Sequence, residues 1–234
     1  PDSDLFRYVM SGVPAATSRG AEVSAQIKDA FGNPYLPGSS LKGALRTLLF
    51  WGIHAESDQR PDVRRMKRSR NWASQPLEQA VFGKDPNHDW LRALRVRDSE
   101  PVDPDGALAL TTVRVFPTSD RGRGGLDVDV EALTPGTALR AEIALATYGF
   151  TDPEAATLRW QGKRQWIKDL PKLGKLRARE RLLAEAACFN RHGGPPGARR
   201  FYDDLIRRLL APPDDTLLLQ VGWGAGWASK TLGR

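Results

Sequence analysis

The side chains best placed to hold an anion lie near position 40. Lys42 and Arg46 are four residues apart, which places both cations on one face of a helix. Ser39 or Ser40 can cap the exposed amides at the start of that helix, and Pro37-Gly38 makes the chain turn before them. Unpaired N–H groups, the helix dipole and Lys42 would then lie close together. This helix start is a candidate anion site, although an ordinary capped core helix would show the same pattern.

A second candidate is the stretch GWGAGWASKT, residues 222–231. Tryptophan beside glycine and lysine is suited to stack on an unpaired base while the lysine contacts a phosphate. The glycines would also let another backbone approach closely, and both tryptophans could instead be core or subunit-contact residues. The predicted contacts in this stretch are Gly222, Trp223, Gly224, Gly226, Trp227 and Lys230.

The same stretch departs from two nucleotide-binding motifs, one in spacing and one in residue type. The third glycine comes one residue too early for G-x-G-x-x-G. Ser229 occupies the position before the lysine where a P-loop requires glycine. These departures argue against a dinucleotide-binding protein and against an ATPase.

A third basic feature is the stretch PTSDRGRGGLD, between Phe116 and Val128. Its glycines predict a flexible hairpin tip, which carries Arg121 and Arg123. Both arginines are predicted phosphate contacts.

The three histidines and the one cysteine give little support for catalysis or metal binding. His54, His88 and His192 lack metal-ligand spacing. Cys188 is the single cysteine, so a disulfide and a cysteine-based zinc site are both excluded within this chain. Because Cys188 lies in the apolar stretch AEAACF, we expect it to be buried rather than nucleophilic.

The acidic residues allow several interpretations. Asp127, Asp129 and Glu131 alternate, so in a strand they would share one face and could bind a divalent ion. They could instead form the wet side of an edge strand or pair with nearby arginines. Asp98 ends a predicted strand at a turn, where an aspartate commonly accepts hydrogen bonds from backbone amides. We predict no catalytic residue, no metal and no cofactor.

The elements that must position these residues follow from apolar spacing. Leu41, Ala44, Leu45, Leu48 and Leu49 form one stripe of a helix that starts at Gly38. The sequence PLEQAVFG predicts a short helix that ends at glycine. Alternation and β-branched residues predict strands at 23–27, 91–100, 107–116, 134–147 and 216–221.

Residues 152–211 form a basic helical region, which Gly174 and the sequence HGGPPG are expected to divide. Phe201, Leu205 and Leu209 are predicted to form the inner face of its last helix. Strands and helices do not alternate in a regular βαβ pattern, and this irregular order favours an α+β fold.

Composition limits the class of partner. The chain has 234 residues and a formal net charge of +7, which favours an anionic partner, most simply nucleic acid. No apolar run is long enough for a membrane span and no segment resembles a signal peptide. A reducing, cytoplasmic environment is compatible with the single cysteine. We therefore predict a cytoplasmic protein with no membrane partner.

Several motifs together resemble one family. The sequence PYLPGSSLKGALRTLL resembles the hallmark of the RAMP superfamily of type III CRISPR effector complexes, and GWGAGWASKT resembles its glycine-rich loop. The motifs LRVRDSE after VFG, VEALTPGT, EAACFN and FYDDLI are similar in kind and order to the fifth Csm subunits of type III-A systems. The resemblance covers residues 23–231, nearly the whole chain.

The resemblance implies a ferredoxin-like, RRM-like core with an antiparallel sheet, in one elaborated domain over residues 1–234. The hairpin near 116–128 and the helices near 152–211 would be insertions in that domain. It also implies a non-catalytic RNA-binding subunit of a prokaryotic Csm complex, which caps the filament at the 3′ part of the crRNA and supports crRNA maturation and assembly in antiviral defence. The implied partners are the crRNA and other Csm or RAMP subunits, with target RNA as a further candidate.

Two other functions stay open at this stage. A metal-dependent RNase subunit of the same superfamily would cut target RNA and would need a carboxylate facing it, for which Asp120 in the hairpin is the best candidate. A purely structural bridge between subunits would explain exposed tryptophans without direct RNA binding.

Overall fold

The structure is a computed structural model that describes residues 6–17, 21–56, 74–115, 125–192, 197–210 and 215–224. Contacts divide the chain into two compact units. The first unit comprises Pro1–Ser39 and Val96–Glu142, and the second comprises Ser40–Arg95 and Ile143–Arg234. The single elaborated domain over residues 1–234 stays a prediction.

Strands and helices are mixed, as the α+β prediction requires. The strands are β1 (Val23–Ser24), β2 (Leu94–Val96), β3 (Leu108–Val115), β4 (Leu126–Leu133) and β5 (Ile143–Leu145). The helices are α1 (Gly38–Glu56), α2 (Gln75–Phe82), α3 (Pro104–Ala107), α4 (Tyr148–Thr151), α5 (Arg164–Lys168), α6 (Leu170–His192) and α7 (Ala198–Leu210). Short 3-10 helices occupy Trp90–Ala93 and Pro153–Leu158.

The first unit contains a three-stranded sheet in the order β1-β4-β3. Strands β3 and β4 form the predicted hairpin and pair antiparallel, with Leu108 opposite Leu133. Strand β1 runs parallel to β4, with Val23 opposite Asp129. The sheet is therefore mixed, whereas the sequence resemblance implied an antiparallel one. Because β4 lies between β1 and β3, its side chains are not on a sheet edge.

The second unit contains a two-stranded pairing of β2 with β5, beside which Ala146 donates its N–H to the carbonyl of Ala93 at 2.9 Å. The predicted strand at 134–147 is thus shortened to β5. The predicted strand at 216–221 is wrong, because this segment has irregular backbone.

Gly174 lies inside α6 and does not divide the helical region as predicted. An added Cβ at Gly174 would lie 2.5 Å from the Cβ of Leu217, so the missing side chain lets the segment at 216–221 pass close to the helix. The glycine therefore serves packing between two segments rather than helix termination.

The core of the second unit is built on the predicted stripe of α1. Leu45, Leu48 and Leu49 are buried. The rings of Phe82 and Trp90 pack 5.7 Å apart between centroids, and the indole N–H of Trp90 donates to the carbonyl of Val81 at 3.0 Å. Phe82 and Trp90 thus add buried aromatic surface to the aliphatic stripe, and the polar atom of the indole has a partner.

Two burial predictions in the last helices are wrong. Cys188, in α6, is exposed. Phe201 is also exposed, with Tyr202 and Leu205 beside it on the wall of an open cavity of about 280 Å³. The apolar spacing of α7 therefore marks a cavity wall rather than a closed core.

None of the helices in the described ranges is long and apolar enough to cross a membrane.

Candidate nucleic-acid interface

The start of α1 holds an anion from the protein itself. The N–H of Gly38 donates to Asp98 Oδ1 at 2.7 Å, so Asp98 accepts from a backbone amide as its position at a turn predicted. An added Cβ at Gly38 would lie 2.4 Å from the carbonyl oxygen of Val96, so only glycine allows this approach. Ser39 and Ser40 lie inside the first turn of α1, where Ser39 is exposed and Ser40 is half-buried. The turn at Pro37-Gly38 is needed because the start of the helix packs directly against the segment 96–98.

Lys42 is half-buried and bonded to the protein backbone. Its Nζ donates to the carbonyl of Leu94 at 2.7 Å. Burial lowers the pKa of the Lys42 amine; nearby Asp89 acts in the opposite direction and nearby Arg46 in the same one. Part of its hydrogen-bonding capacity is therefore used within the second unit.

Arg46 is paired with carboxylates on two sides. Its guanidinium donates to Asp89 Oδ2 at 2.7 Å and lies 3.6 Å from Glu78. It also lies over the ring of Phe82, 3.8 Å from the ring centroid. The fold therefore pairs this cation internally, through residues that helix spacing alone could not identify.

The described end of the glycine-rich stretch presents an aromatic ring to solvent. Gly222 and Gly224 have φ angles of +86° and +79°, in the left-handed region that favours glycine. An added Cβ at either position would meet no atom of the described chain within 4 Å, so close backbone approach does not explain these two glycines. Trp223 lies between them with 62% of its surface exposed, which excludes the core interpretation for this tryptophan. Gly226, Trp227, Lys230, Arg121, Arg123 and Asp120 lie outside the described residues.

Asp127 forms the arginine pair that the sequence allowed. Arg114, opposite it on β3, donates through Nε and Nη2 to the two oxygens of Asp127 at 2.6 and 2.7 Å. The hydrogen bonds and charge of Arg114 lower the pKa of this carboxyl group. Because the pair is exposed, its contribution to stability is small.

Asp129 anchors the chain upstream of β1. Its carboxylate accepts from the hydroxyl of Thr112 at 2.6 Å and from the N–H of Ala15 at 2.9 Å. These hydrogen bonds lower the pKa of Asp129. Asp129 is buried, so the prediction that it lies on the wet side of an edge strand is wrong.

Glu131 is buried as well and holds a second set of partners. It accepts from the hydroxyl of Tyr8 at 2.6 Å and the N–H of Gln26 at 2.9 Å, and forms an ion pair with Lys28. Burial tends to raise the pKa of Glu131, but the hydrogen bonds from Lys28, Tyr8 and Gln26 outweigh it, and the pKa is lowered.

A divalent ion finds no ligand set in the described ranges, where no group of three or more His, Cys, Asp or Glu residues could hold a metal ion. Asp129 and Glu131 instead fasten the segments before and after β1 to the central strand. Their role in this structure is architectural.

Comparisons with known proteins agree with the motifs. Residues 9–229 match the model of the RAMP superfamily. The CRISPR system protein Csm5 of Streptococcus thermophilus is 34% identical over 132 residues, which cover 54% of this chain and 35% of that protein. The Csm5 protein of Mycobacterium tuberculosis is 23% identical over 230 residues, which cover 90% of this chain and 52% of that protein.

Two solved structures share the fold. One is a chain in the cryo-EM structure of the Csm–crRNA–target RNA ternary complex of a type III-A CRISPR-Cas system, with a TM-score of 0.63 and 25% identity over 92% of this chain and 64% of that chain. The other is the crystal structure of T. onnurineus Csm5, with a TM-score of 0.62 and 27% identity over 90% of this chain and 66% of that chain. This chain therefore spans 35% and 52% of the curated relatives and slightly under two thirds of the two structures.

Proposed function

Because this chain belongs to the RAMP superfamily, we propose that it is a non-catalytic RNA-binding subunit of a type III-A CRISPR (Csm) effector complex. Its partners would be the crRNA, target RNA and other Csm subunits, in the cytoplasm of a prokaryote. It would cover the 3′ part of the crRNA and support crRNA maturation and assembly. The finer fold proposal is a ferredoxin-like core that contains the β3–β4 hairpin.

The observation that carries this proposal is the likeness, over 92% of the chain, to a chain of a Csm–crRNA–target RNA complex. The geometry adds a physical reason at Trp223. An exposed indole between two glycines in the left-handed conformation can stack on an unpaired base without displacing protein contacts.

The other predicted contacts differ in how readily they could bind RNA. Ser39 is exposed on the first turn of α1, with Ser40 half-buried beside it. Lys42 and Arg46 stay proposed phosphate contacts, but each already uses part of its hydrogen-bonding capacity on an internal partner. Arg121, Arg123, Gly226, Trp227 and Lys230 stay predictions from sequence.

The proposal is tested by native purification of the tagged protein from cells of its own source. Retained RNA is sequenced and protein partners are identified by mass spectrometry, with an untagged strain as the control. We expect discrete repeat-derived crRNAs together with other Csm subunits. Retention of random RNA, or of no RNA, would refute membership of an effector complex.

The non-catalytic part needs a separate measurement. We expect Asp120→Ala to leave magnesium-dependent cleavage of target RNA by the purified complex unchanged. If cleavage disappeared while crRNA and target RNA stayed bound, the RNase interpretation would replace the capping one.

A further inference from the structure

The second unit contains a pocket of about 420 Å³ whose charged lining is entirely basic. We call it the basic pocket and define it by Lys84, His88, Arg159, Trp160 and Lys163. Among the described residues that line it there is no aspartate or glutamate. A pocket of this volume is in the range that encloses a small ligand or one nucleotide.

Gly83 and Trp160 both line the basic pocket, and both lie against the carbonyl group of His88. Gly83 ends α2 with φ +140°, and an added Cβ there would lie 2.3 Å from the carbonyl oxygen of His88. The loop 84–88 can therefore fold back onto the helix end only because residue 83 is glycine. The indole N–H of Trp160 donates to the same carbonyl at 2.9 Å. These contacts join the loop after α2 to the turn before α5.

The cations of the basic pocket lack the internal partners that Arg46 has. Lys84 and Arg159 are exposed and Lys163 is half-buried. Within the described part of the chain, none of the three side chains forms an ion pair or a hydrogen bond. His88 is held by Asp85, whose carboxylate lies 2.8 Å from the ring Nδ1.

Arg159 adds a backbone feature to the basic pocket. Its φ of +57° is in the left-handed region, which is unfavourable for a residue with a Cβ. The conformation is held because Arg159 ends a 3-10 turn and donates its N–H to the carbonyl of Ala156 at 3.1 Å. Such conformations concentrate at functional sites, where the surrounding structure enforces them.

We propose that the basic pocket binds a phosphodiester group of single-stranded RNA, with Lys84, Arg159 and Lys163 as its cationic ligands. This inference rests on the proposed function and adds a contact site to it. Ammonium and guanidinium groups that line one pocket without a carboxylate favour a phosphate, because its charge meets no competing anion among the lining residues. The sequence placed Arg159 and Lys163 in a basic helical region without predicting what they contact, and it did not identify Lys84 as a candidate contact.

The test compares three forms of the purified protein with the wild type. The pocket variant is Lys84→Gln/Arg159→Gln/Lys163→Gln. The charge-matched control is Lys168→Gln/Lys172→Gln/Arg179→Gln, three exposed cations outside the pocket. The third form, Lys84→Arg/Arg159→Lys/Lys163→Arg, retains the charge of the pocket. Kd is measured for a labelled single-stranded repeat RNA over a series of salt concentrations.

We expect the pocket variant to bind this RNA about tenfold more weakly than the control variant at low salt. Its plot of log Kd against log salt should be shallower by about 0.7 for each RNA phosphate that the variant no longer neutralises. The charge-retaining form should bind like the wild type. Thermal unfolding should be unchanged in all forms, since the substituted side chains lack internal partners.

Equal affinities of the pocket and control variants, with a wild type that binds, would overturn this inference and leave the proposed function standing. Loss of binding by the charge-retaining form would also overturn it. A wild type that binds no RNA would refute the proposed function and this inference together. If the triple variant does not fold, Lys84→Gln and Lys168→Gln, both at exposed positions, provide the same comparison.

Discussion

Two basic regions of the second unit use the same residue types differently. On α1, Arg46 is paired with Asp89 and Glu78, and Lys42 donates to a backbone carbonyl. In the basic pocket, Lys84 and Arg159 are exposed in a setting whose lining has no carboxylate among the described residues. The sequence pattern favoured α1 as the anion site, but the geometry favours the basic pocket.

The difference shows that the availability of a cation depends on its neighbours in the fold. Arg46 and Asp89 are 43 positions apart, so helix spacing alone could not identify the pair. A carboxylate that pairs with a cation neutralises part of its charge and occupies some of its donors, so the cation attracts a phosphate less strongly than an unpaired cation does.

The largest effect is expected for Gly38→Ala, which tests the close packing of the start of α1 against residues 96–97. The added methyl group would meet the backbone of Val96 and Arg97, and we expect a loss of about 3 kcal/mol in the free energy of unfolding. Gly43→Ala is the matched control in the same helix. Its Cβ meets no described atom within 4 Å, so we expect it to stabilise the protein by about 0.8 kcal/mol. Urea unfolding measures both, and equal stability of the two variants would contradict the close approach.

The second test separates paired from unpaired cations. Arg46→Gln removes the ion pair with Asp89 and the contact with the Phe82 ring, so we expect a loss of about 1–2 kcal/mol in unfolding free energy. Lys84→Gln should change that free energy by less than about 0.5 kcal/mol. Thermal unfolding of the two variants side by side checks the contrast, which fails if the two losses are the same.

A third test concerns the exposed ring of the glycine-rich stretch. Trp223→Ala should weaken binding of single-stranded RNA by about 1 kcal/mol, the cost of removing one base stack. Because the ring is 62% exposed, its removal should change stability by less than about 0.5 kcal/mol. Phe201→Ala, at an aromatic residue that is 58% exposed on α7, is the control. An equal loss of affinity in both variants would argue against a specific stack at Trp223.

The smallest effect is expected in the first unit and depends on pH. The pKa of Glu131 in the folded protein lies below its ordinary value of 4.5, so the carboxylate stabilises the folded state above that pH. This stabilisation is lost as the pH falls below 4.5 and through the folded pKa. Glu131→Gln should therefore unfold with a weaker dependence on pH in the acid range, as measured by thermal unfolding. Identical acid dependence in both proteins would contradict the anchoring role.

Local features of the fold followed well from the sequence. The stripe of Leu45, Leu48 and Leu49, the helix that stops at Gly83 and the long strand β3 depend on residues near each other in the chain. The family also followed from sequence, because short motifs at both ends of the chain are specific.

Features that depend on distant residues did not follow from the sequence. The segment 216–221 has the composition of a strand, yet it lies against α6 at Gly174. Asp129 and Glu131 have the spacing of exposed acids, but the parallel pairing of β1 places them on a central strand. Lys84 contributes to the basic pocket only because Gly83 and Trp160 bring two distant stretches together at His88.

The hydrogen bond from Ala15 to Asp129 can form only after a long stretch of the chain has been synthesised. The two residues are 114 positions apart, so the ribosome adds Asp129 on the order of ten seconds after Ala15 at typical elongation rates. During that time residues 6–17 have left the ribosome without the strand that will hold them. Because Ile143–Arg234 is translated after β4, the residues that form the anchoring contacts of the first unit are all synthesised before those of α6 and α7.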